Sequence, residues 1–175
     1  ENVLWFANDE EDAYEDPTIK RSRSHEYVSK EVTNVRENVG VIELANFSKH
    51  EFKGKEARKF LNYILAGRIP NMGRIALSPM LSEKGKLYGD LTVSCLSEGH
   101  FMVYGSGVAQ EMHRRWFERY IDKFDVKYRN CSDDYHGLAI SGPKSRDLLQ
   151  SLVREDISNE SFKFRDSREM FVAGV

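Results

Sequence analysis

Asp90 is the residue of this sequence with the clearest potential for chemistry, because it is a carboxylate inside an apolar run. It is flanked by Tyr88 and Leu91, and Leu91, Val93 and Cys95 are expected on one face of a strand. Aspartate is uncommon in strands and is rarely buried without a partner. Two interpretations stay open at this point: an aspartate that faces water, or a carboxylate aimed into a ligand pocket. In the second, the strand would hold the acid, partly desolvate it, and direct it at N–H donors of a heterocycle or at an amine.

The other groups that could support chemistry have spacings that favour structural roles. Residues 105–107 read Gly-Ser-Gly between a predicted strand and a predicted helix, but Gln110 occupies the place of the third glycine of a dinucleotide-binding turn. Ser141 lacks the G-x-S-x-G context of a nucleophile elbow. Cys95 and Cys131 provide neither a disulfide framework nor a metal-ligand pair, and none of the five histidines has a paired ligand spacing. We therefore predict no metal site.

Three extended segments must position Asp90, at residues 75–81, 86–96 and 101–104. The polar turns between them both end in glycine, which tolerates the positive φ of tight turns. A helix predicted over residues 55–66 has an apolar stripe at helical spacing, formed by Ala57, Phe60, Leu61, Ile64 and Leu65. We predict that the three segments form an antiparallel meander packed by this helix. Because helices mix with hairpins, the predicted fold class is α+β, and a last strand is predicted beyond the polar loop at residues 156–160.

Composition limits the classes of function. The formal net charge of −2 gives no electrostatic case for binding nucleic acid or an anionic membrane. No apolar run approaches the ~20 residues of a membrane-spanning helix, and the acidic N-terminal region is unlike a signal peptide. The chain begins without Met, and residues 171–175 have a strand-like pattern. We therefore expect a piece of a longer polypeptide, with exposed apolar surface and possible self-association.

Several segments in the same order resemble the folate-binding aminomethyltransferase family, which includes the T-protein of glycine cleavage. The most specific is GRIALSPMLSEKGKLYGDLTVS at residues 73–94. The others are LWFA at 4–7, VRENVGVIELANFSKHEFKG at 35–54, FLNYILAGRIP at 60–70, LAISGPKSRDLLQSL at 138–152 and DISNESFKF at 156–164. The resemblance covers nearly the whole chain and is strongest to the tetrahydrofolate domains of dimethylglycine and sarcosine dehydrogenases.

The resemblance implies the N-terminal part of the T-protein fold and a pocket for tetrahydrofolate. It places Asp90 near the pterin and its N5 atom as the catalytic carboxylate. It adds Thr92, Tyr104 and Leu77 as residues that bind the cofactor, although many relatives have tyrosine at the position of Leu77. The implied division is an N-terminal extension and entry helix at residues 1–34, followed by the first part of the folate domain at residues 35–175, truncated at its C-terminus. FAD is implied only for a flavin domain absent from this chain, because these residues contain no flavin fingerprint.

The resemblance leaves three functions open. The first is tetrahydrofolate-dependent one-carbon transfer in a dimethylglycine or sarcosine dehydrogenase-like protein, with a methylated amine as the source of the one-carbon unit and the rest of the parent polypeptide as partner. The second is a free-standing aminomethyltransferase or a folate-dependent demethylase. The third is a non-catalytic folate-binding or scaffold module. The expected location is the bacterial cytoplasm or the mitochondrial matrix.

Overall fold

A computed structural model describes residues 5–14 and 16–174. Leu4 of the LWFA segment and Val175 lie outside these ranges. Two single-turn 3-10 helices occur at Glu10–Asp12 and Gly107–Ala109. The helices are α1 (Ser24–Glu37), α2 (Ala57–Ile64), α3 (Gln110–Ile121) and α4 (Ser145–Gln150). The strands are β1 (Gly40–Glu43), β2 (Ser48–Lys53), β3 (Arg74–Leu81), β4 (Leu87–Ser97), β5 (His100–Gly105), β6 (Lys127–Asn130) and β7 (Leu138–Ser141).

The main element is a five-stranded antiparallel sheet with the order β3-β4-β5-β2-β6, and β1 pairs with β7 in a second, two-stranded sheet. The predicted meander of β3, β4 and β5 is confirmed, and so is the α+β class. Hairpin connections explain the local part of this order, since consecutive antiparallel strands can be joined by short turns. The strand β2 enters between β5 and β6, which no local pattern indicates.

One face of the large sheet forms the hydrophobic core. Leu91, Val93 and Cys95 of β4 are fully buried there, as their alternation predicts. Phe60 and Leu61 of α2 pack into the same cluster, so the predicted packing of this helix on the meander is confirmed. Aromatic side chains from β2, β5, α2 and α3 fill the cluster, namely Phe52, Phe101, Phe60 and Phe117.

The helix α2 ends at Ile64, two residues before the predicted end. Leu65 has extended backbone angles, and the Ala66 amide donates to the carbonyl oxygen of Pro79 at 2.8 Å. The chain then passes so close to β3 that a Cβ on Gly67 would lie 2.4 Å from the Ser78 Oγ. Glycine at this position is therefore required by the space between the two segments.

The predicted last strand is wrong for the described residues. Residues 161–174 contain no strand, and Asp166 forms only an isolated bridge with Arg74. Arg165 adopts a positive φ of 68°, which interrupts an extended conformation. The segment is held instead by an ion pair between Arg74 and Asp166 and by a hydrogen bond from the Ile75 amide to the Arg165 carbonyl at 2.9 Å.

The predicted division after residue 34 falls inside α1 and remains a prediction. Val41, Ile42 and Leu138 of the two-stranded sheet are exposed, and self-association also remains a prediction. Within residues 5–14 and 16–174, no helix combines the length and hydropathy that crossing a membrane requires.

Candidate functional site

Three of the four predicted site residues lie in one row across the large sheet. Leu77 of β3 pairs with Thr92 of β4, Thr92 pairs with Tyr104 of β5, and Tyr104 pairs with Lys49 of β2. Residues directly opposite each other in antiparallel strands project from the same face. This face is opposite to the one that carries the core. Asp90, two residues before Thr92 on β4, also projects from it and pairs with Pro79.

A cleft of about 580 Å³ lies over this face. Thr92 and Tyr104 line it, together with apolar side chains and several polar ones. The apolar lining residues are Leu44, Phe47, Leu96, Met102 and Leu138. Asp90 and Leu77 are outside the lining and lie on the same face beyond its margin. The structure therefore brings together Thr92 and Tyr104 in the cleft, with Asp90 next to it along β4.

The side chain of Asp90 is exposed, and its carboxylate makes no hydrogen bond or ion pair with another described residue. The partial desolvation expected from the sequence is therefore not found. The reason is that Asp90 lies where β4 extends beyond its pairing with β5, which begins at Thr92. Leu77, on the edge strand β3, is 64% exposed. Both side chains are free to contact a ligand placed against this face.

Tyr104 provides the cleft with a neutral hydroxyl group. Its phenol is partly buried, and this burial raises the pKa of Tyr104 above its ordinary value. The phenol is therefore un-ionised at neutral pH. Its hydroxyl group has no hydrogen-bond partner among the described residues, and the same is true of the Thr92 hydroxyl. Both groups can donate a hydrogen bond to a ligand or accept one from it.

Lys49 is a buried cation in the wall of the cleft that the sequence analysis missed. Only 3% of its surface is exposed. Its ammonium group donates to the carbonyl oxygens of Ala45, Phe47 and Ser132, at 2.9, 2.8 and 3.2 Å. It forms no ion pair with a carboxylate in the described part of the chain. Lys49 thus connects the β1–β2 loop to the segment after β6 and places a positive charge behind Tyr104.

Glu51 is a second residue that the sequence analysis missed. Its carboxylate contacts the Lys53 ammonium at 2.6 Å, the His100 Nε2 at 2.9 Å and the Arg129 Nε at 3.2 Å. These partners, Lys53 foremost, lower the pKa of Glu51 to about 2. Lys49, Glu51 and Lys53 alternate along β2, and this period of two was the available signal for a polar face. It could not show that the face closes over a cleft.

The other wall of the cleft comes from two loops. Tyr135 and His136 belong to the connection between β6 and β7, and residues 167–169 belong to the C-terminal segment. The Ser167 hydroxyl forms a hydrogen bond of 2.6 Å with the Ser94 hydroxyl on β4. This contact fixes the C-terminal segment against the sheet beside Thr92.

The lining of the cleft suits an organic ligand. Among the described residues, no group of three or more histidine, cysteine, aspartate or glutamate side chains is placed to hold a metal. A cleft of this volume with apolar walls and a few unpaired hydroxyl groups is typical of small-molecule sites. The exposed Asp90 adds an acceptor that can bind N–H groups or stabilise positive charge.

The chain belongs to the family described as the GCVT N-terminal domain, whose model matches residues 1–175. Within that class, the chain is 33% identical to a relative from Mus musculus and 34% identical to one from Homo sapiens, each matched over the whole chain. Both relatives are mitochondrial dimethylglycine dehydrogenases. The chain spans 20% of their length.

Solved structures show the same fold. The glycine cleavage system aminomethyltransferase T from Bartonella henselae superimposes with a TM-score of 0.71 at 20% identity, over 82% of this chain and 39% of that one. The heterotetrameric sarcosine oxidase from Corynebacterium sp. U-96 superimposes with a TM-score of 0.63 at 14% identity, over 90% of this chain and 79% of that one. The resemblance inferred from the sequence is therefore confirmed at the level of family and fold.

Proposed function

We propose that this chain is the folate-binding part of a dimethylglycine dehydrogenase-like protein and takes part in tetrahydrofolate-dependent one-carbon transfer. The observation that carries the proposal is the exposed carboxylate of Asp90, which has no partner in the described part of the chain and lies on the same sheet face as Thr92 and Tyr104. The identity of 33–34% over the whole chain favours the dehydrogenase relatives over a free-standing aminomethyltransferase. A location in mitochondria, as in those relatives, is part of the proposal.

The residues of the cleft fit a reduced pterin. Its apolar walls accept a flat ring, while the hydroxyl groups of Thr92 and Tyr104 can bind the polar edge of that ring. Leu77 would extend the apolar contact along β3, and Asp90 would accept a hydrogen bond from an N–H group. When bound, tetrahydrofolate supplies a nucleophilic nitrogen for the one-carbon unit.

Asp90 would contribute in two ways that need little acid–base strength. Its negative charge stabilises positive charge that develops on a nearby nitrogen, and its oxygen atoms can accept the proton that this nitrogen releases. The strand β4 holds the carboxylate at a fixed place on the sheet face, which favours a productive orientation of the reactants. Oxidation of the methylated amine would take place in a separate flavin domain of the parent protein.

The test is Asp90→Asn in the full-length parent protein. The substitution keeps the shape of the side chain and removes its charge, so folate-dependent formation of 5,10-methylenetetrahydrofolate should fall by about two orders of magnitude or more. Amine oxidation, followed in the same sample by reduction of the flavin, should stay nearly unchanged. The matched control is Asp122→Asn, at the exposed C-terminal cap of α3, which should leave both rates unchanged. Normal product formation by the Asp90→Asn variant would exclude the catalytic role.

A further inference from the structure

The strand that carries Asp90 rests on a buried histidine of α3. His113 is 1% exposed, and neither of its ring nitrogens has a hydrogen-bond partner in the described part of the chain. A buried imidazole without a hydrogen-bond partner is uncommon in a folded protein and calls for an explanation. Burial lowers the pKa of His113, and the backbone of Tyr88 acts in the opposite direction. The imidazole ring also lies against the backbone of two neighbouring strands.

Because two neighbouring glycines have no side chains, there is room for the imidazole ring of His113. A Cβ on Gly89 of β4 would lie 2.7 Å from the His113 Nε2, and a Cβ on Gly105 of β5 would lie 2.9 Å from its Nδ1 and Cε1. Neither glycine has a positive φ, so backbone freedom does not require them. The missing side chains let both strands approach the imidazole ring directly.

The contact lies at the end of the β4–β5 pair where the candidate site is. Gly89 immediately precedes Asp90, and Gly105 immediately follows Tyr104. Side chains of adjacent residues in a strand project from opposite faces, so His113 supports from the core side the backbone that presents Asp90 and Tyr104 to the cleft. Leu91 shares this support, since its Cδ2 would lie 2.7 Å from a Cβ on Gly105, whereas at Gly89 the nearest atom is the His113 Nε2.

We propose that His113 is a positioning residue, which fixes Asp90 through the direct contact of its ring with Gly89. This inference rests on the proposed role of Asp90. It predicts that an added methyl group at Gly89 displaces Asp90, and that a smaller side chain at position 113 restores its place. The mechanism is steric, so the effects of the two substitutions should not add.

The test is a double-mutant cycle of Gly89→Ala and His113→Asn in the full-length parent protein. Gly89→Ala should lower the rate constant kcat of folate-dependent transfer about tenfold at nearly unchanged KM for tetrahydrofolate, because a small misplacement of a reacting group affects the chemical step. Asparagine lacks the Nε2 and Cε1 atoms that approach the glycines, so the double variant should recover most of the lost kcat.

The control is Gly99→Ala in the turn before β5, where a Cβ would lie 3.0 Å from the Gly54 carbonyl oxygen, far along the hairpin from Asp90. It should lower the melting temperature without lowering kcat.

A structural role alone would give a different pattern. In that case Gly89→Ala would change only the melting temperature, as Gly99→Ala does, or the double variant would be slower than either single variant. Either result would overturn the proposal. The amide ¹H–¹⁵N resonance of Leu91 in the 175-residue chain gives a second measurement that needs no catalysis, because its nitrogen is bonded to the carbonyl carbon of Asp90 and not to the substituted residue. It should shift in Gly89→Ala and return towards its original position in the double variant, and an unshifted resonance would refute the positioning role even if the proposed transfer activity is absent.

Discussion

Both faces of the five-stranded sheet bury polar side chains of β2, but the two faces differ in how completely these side chains are paired. On the core face, His50 is fully buried beside His113 and Phe117, and its Nε2 has no hydrogen-bond partner within residues 5–14 and 16–174. On the cleft face, Lys49 and Glu51 are nearly as buried, yet carbonyl oxygens and ionic groups satisfy both. The difference shows that burial alone does not decide the charge state of a side chain. The supply of partners decides it.

This contrast has a consequence for the response to acid. Burial favours the neutral form of an imidazole that has no carboxylate partner, whereas a carboxylate among cations stays ionised. As the pH falls, the free energy of unfolding should therefore decrease first through protonation of the buried histidines of the core face. The loss through the carboxylate of the cleft face should follow at lower pH. Substitutions of His50, Lys49 and Glu51 test this contrast.

The largest effect should come from His50. Burial, with a smaller contribution from the neighbouring His113, lowers the pKa of His50 to about 4, while the nearby Glu111 acts in the opposite direction. The Tyr128 hydroxyl contacts the other ring nitrogen at 2.9 Å. Because the unfolded state takes up a proton near pH 6.5 and the folded state does not, stability is complete above that pH and falls below it. The free energy of unfolding should decrease by about 3 kcal/mol between pH 7 and pH 4 from this residue alone.

Urea unfolding of wild type and His50→Asn across this pH range checks the expectation. The variant is expected to be less stable at pH 7, where a cavity and an altered contact with Tyr128 count, but to depend less on pH between 6.5 and 4. His25→Asn, at an exposed position of α1, is the matched control and should keep the pH dependence of the wild type. Equal pH dependence of wild type and His50→Asn would show that the imidazole does not have to stay neutral.

The sequence predicted most of the core face and little of the cleft. The apolar alternation at Leu91, Val93 and Cys95 indicated the buried face of β4, since a period of two depends only on neighbouring residues. The hydroxyl groups of Thr92 and Tyr104 entered only through the family resemblance. Lys49 was missed because its carbonyl partners lie up to 83 positions away. Contacts over such distances depend on the order of strands, which local patterns do not encode.

The second effect concerns Lys49. Lys49→Met keeps the length of the side chain but removes the donor to three carbonyl groups, so unfolding should become easier by about 2 kcal/mol. Lys53→Met is the matched control on the same strand and face, since this lysine is half-exposed and, among the described residues, pairs only with Glu51. Its cost should stay below about 1 kcal/mol. Chemical denaturation at pH 7 measures both variants, and equal costs would mean that the buried ammonium adds nothing beyond a surface charge.

The smallest effect should come from Glu51, and its pH dependence is the sharpest test of the cleft face. Glu51→Gln keeps the shape of the side chain and removes the negative charge that pairs with Lys53, His100 and Arg129. At pH 7 the variant should be less stable by about 1 kcal/mol, because two of the three partners are half-exposed and water weakens their attraction.

The pKa of Glu51 in the folded state is lowered from 4.5 to about 2, so the contribution of Glu51 is complete above pH 4.5 and is lost as the pH falls towards 2. The difference in unfolding free energy between wild type and Glu51→Gln should therefore shrink over this interval, while acid losses from His50 and His113, which do not contact Glu51, affect both chains equally and cancel. Glu31→Gln, at an exposed position of α1, should show no such difference. A gap between wild type and Glu51→Gln that stays constant from pH 5 to pH 2 would mean that Glu51 acts through its shape, and the electrostatic contrast between the two faces would not hold.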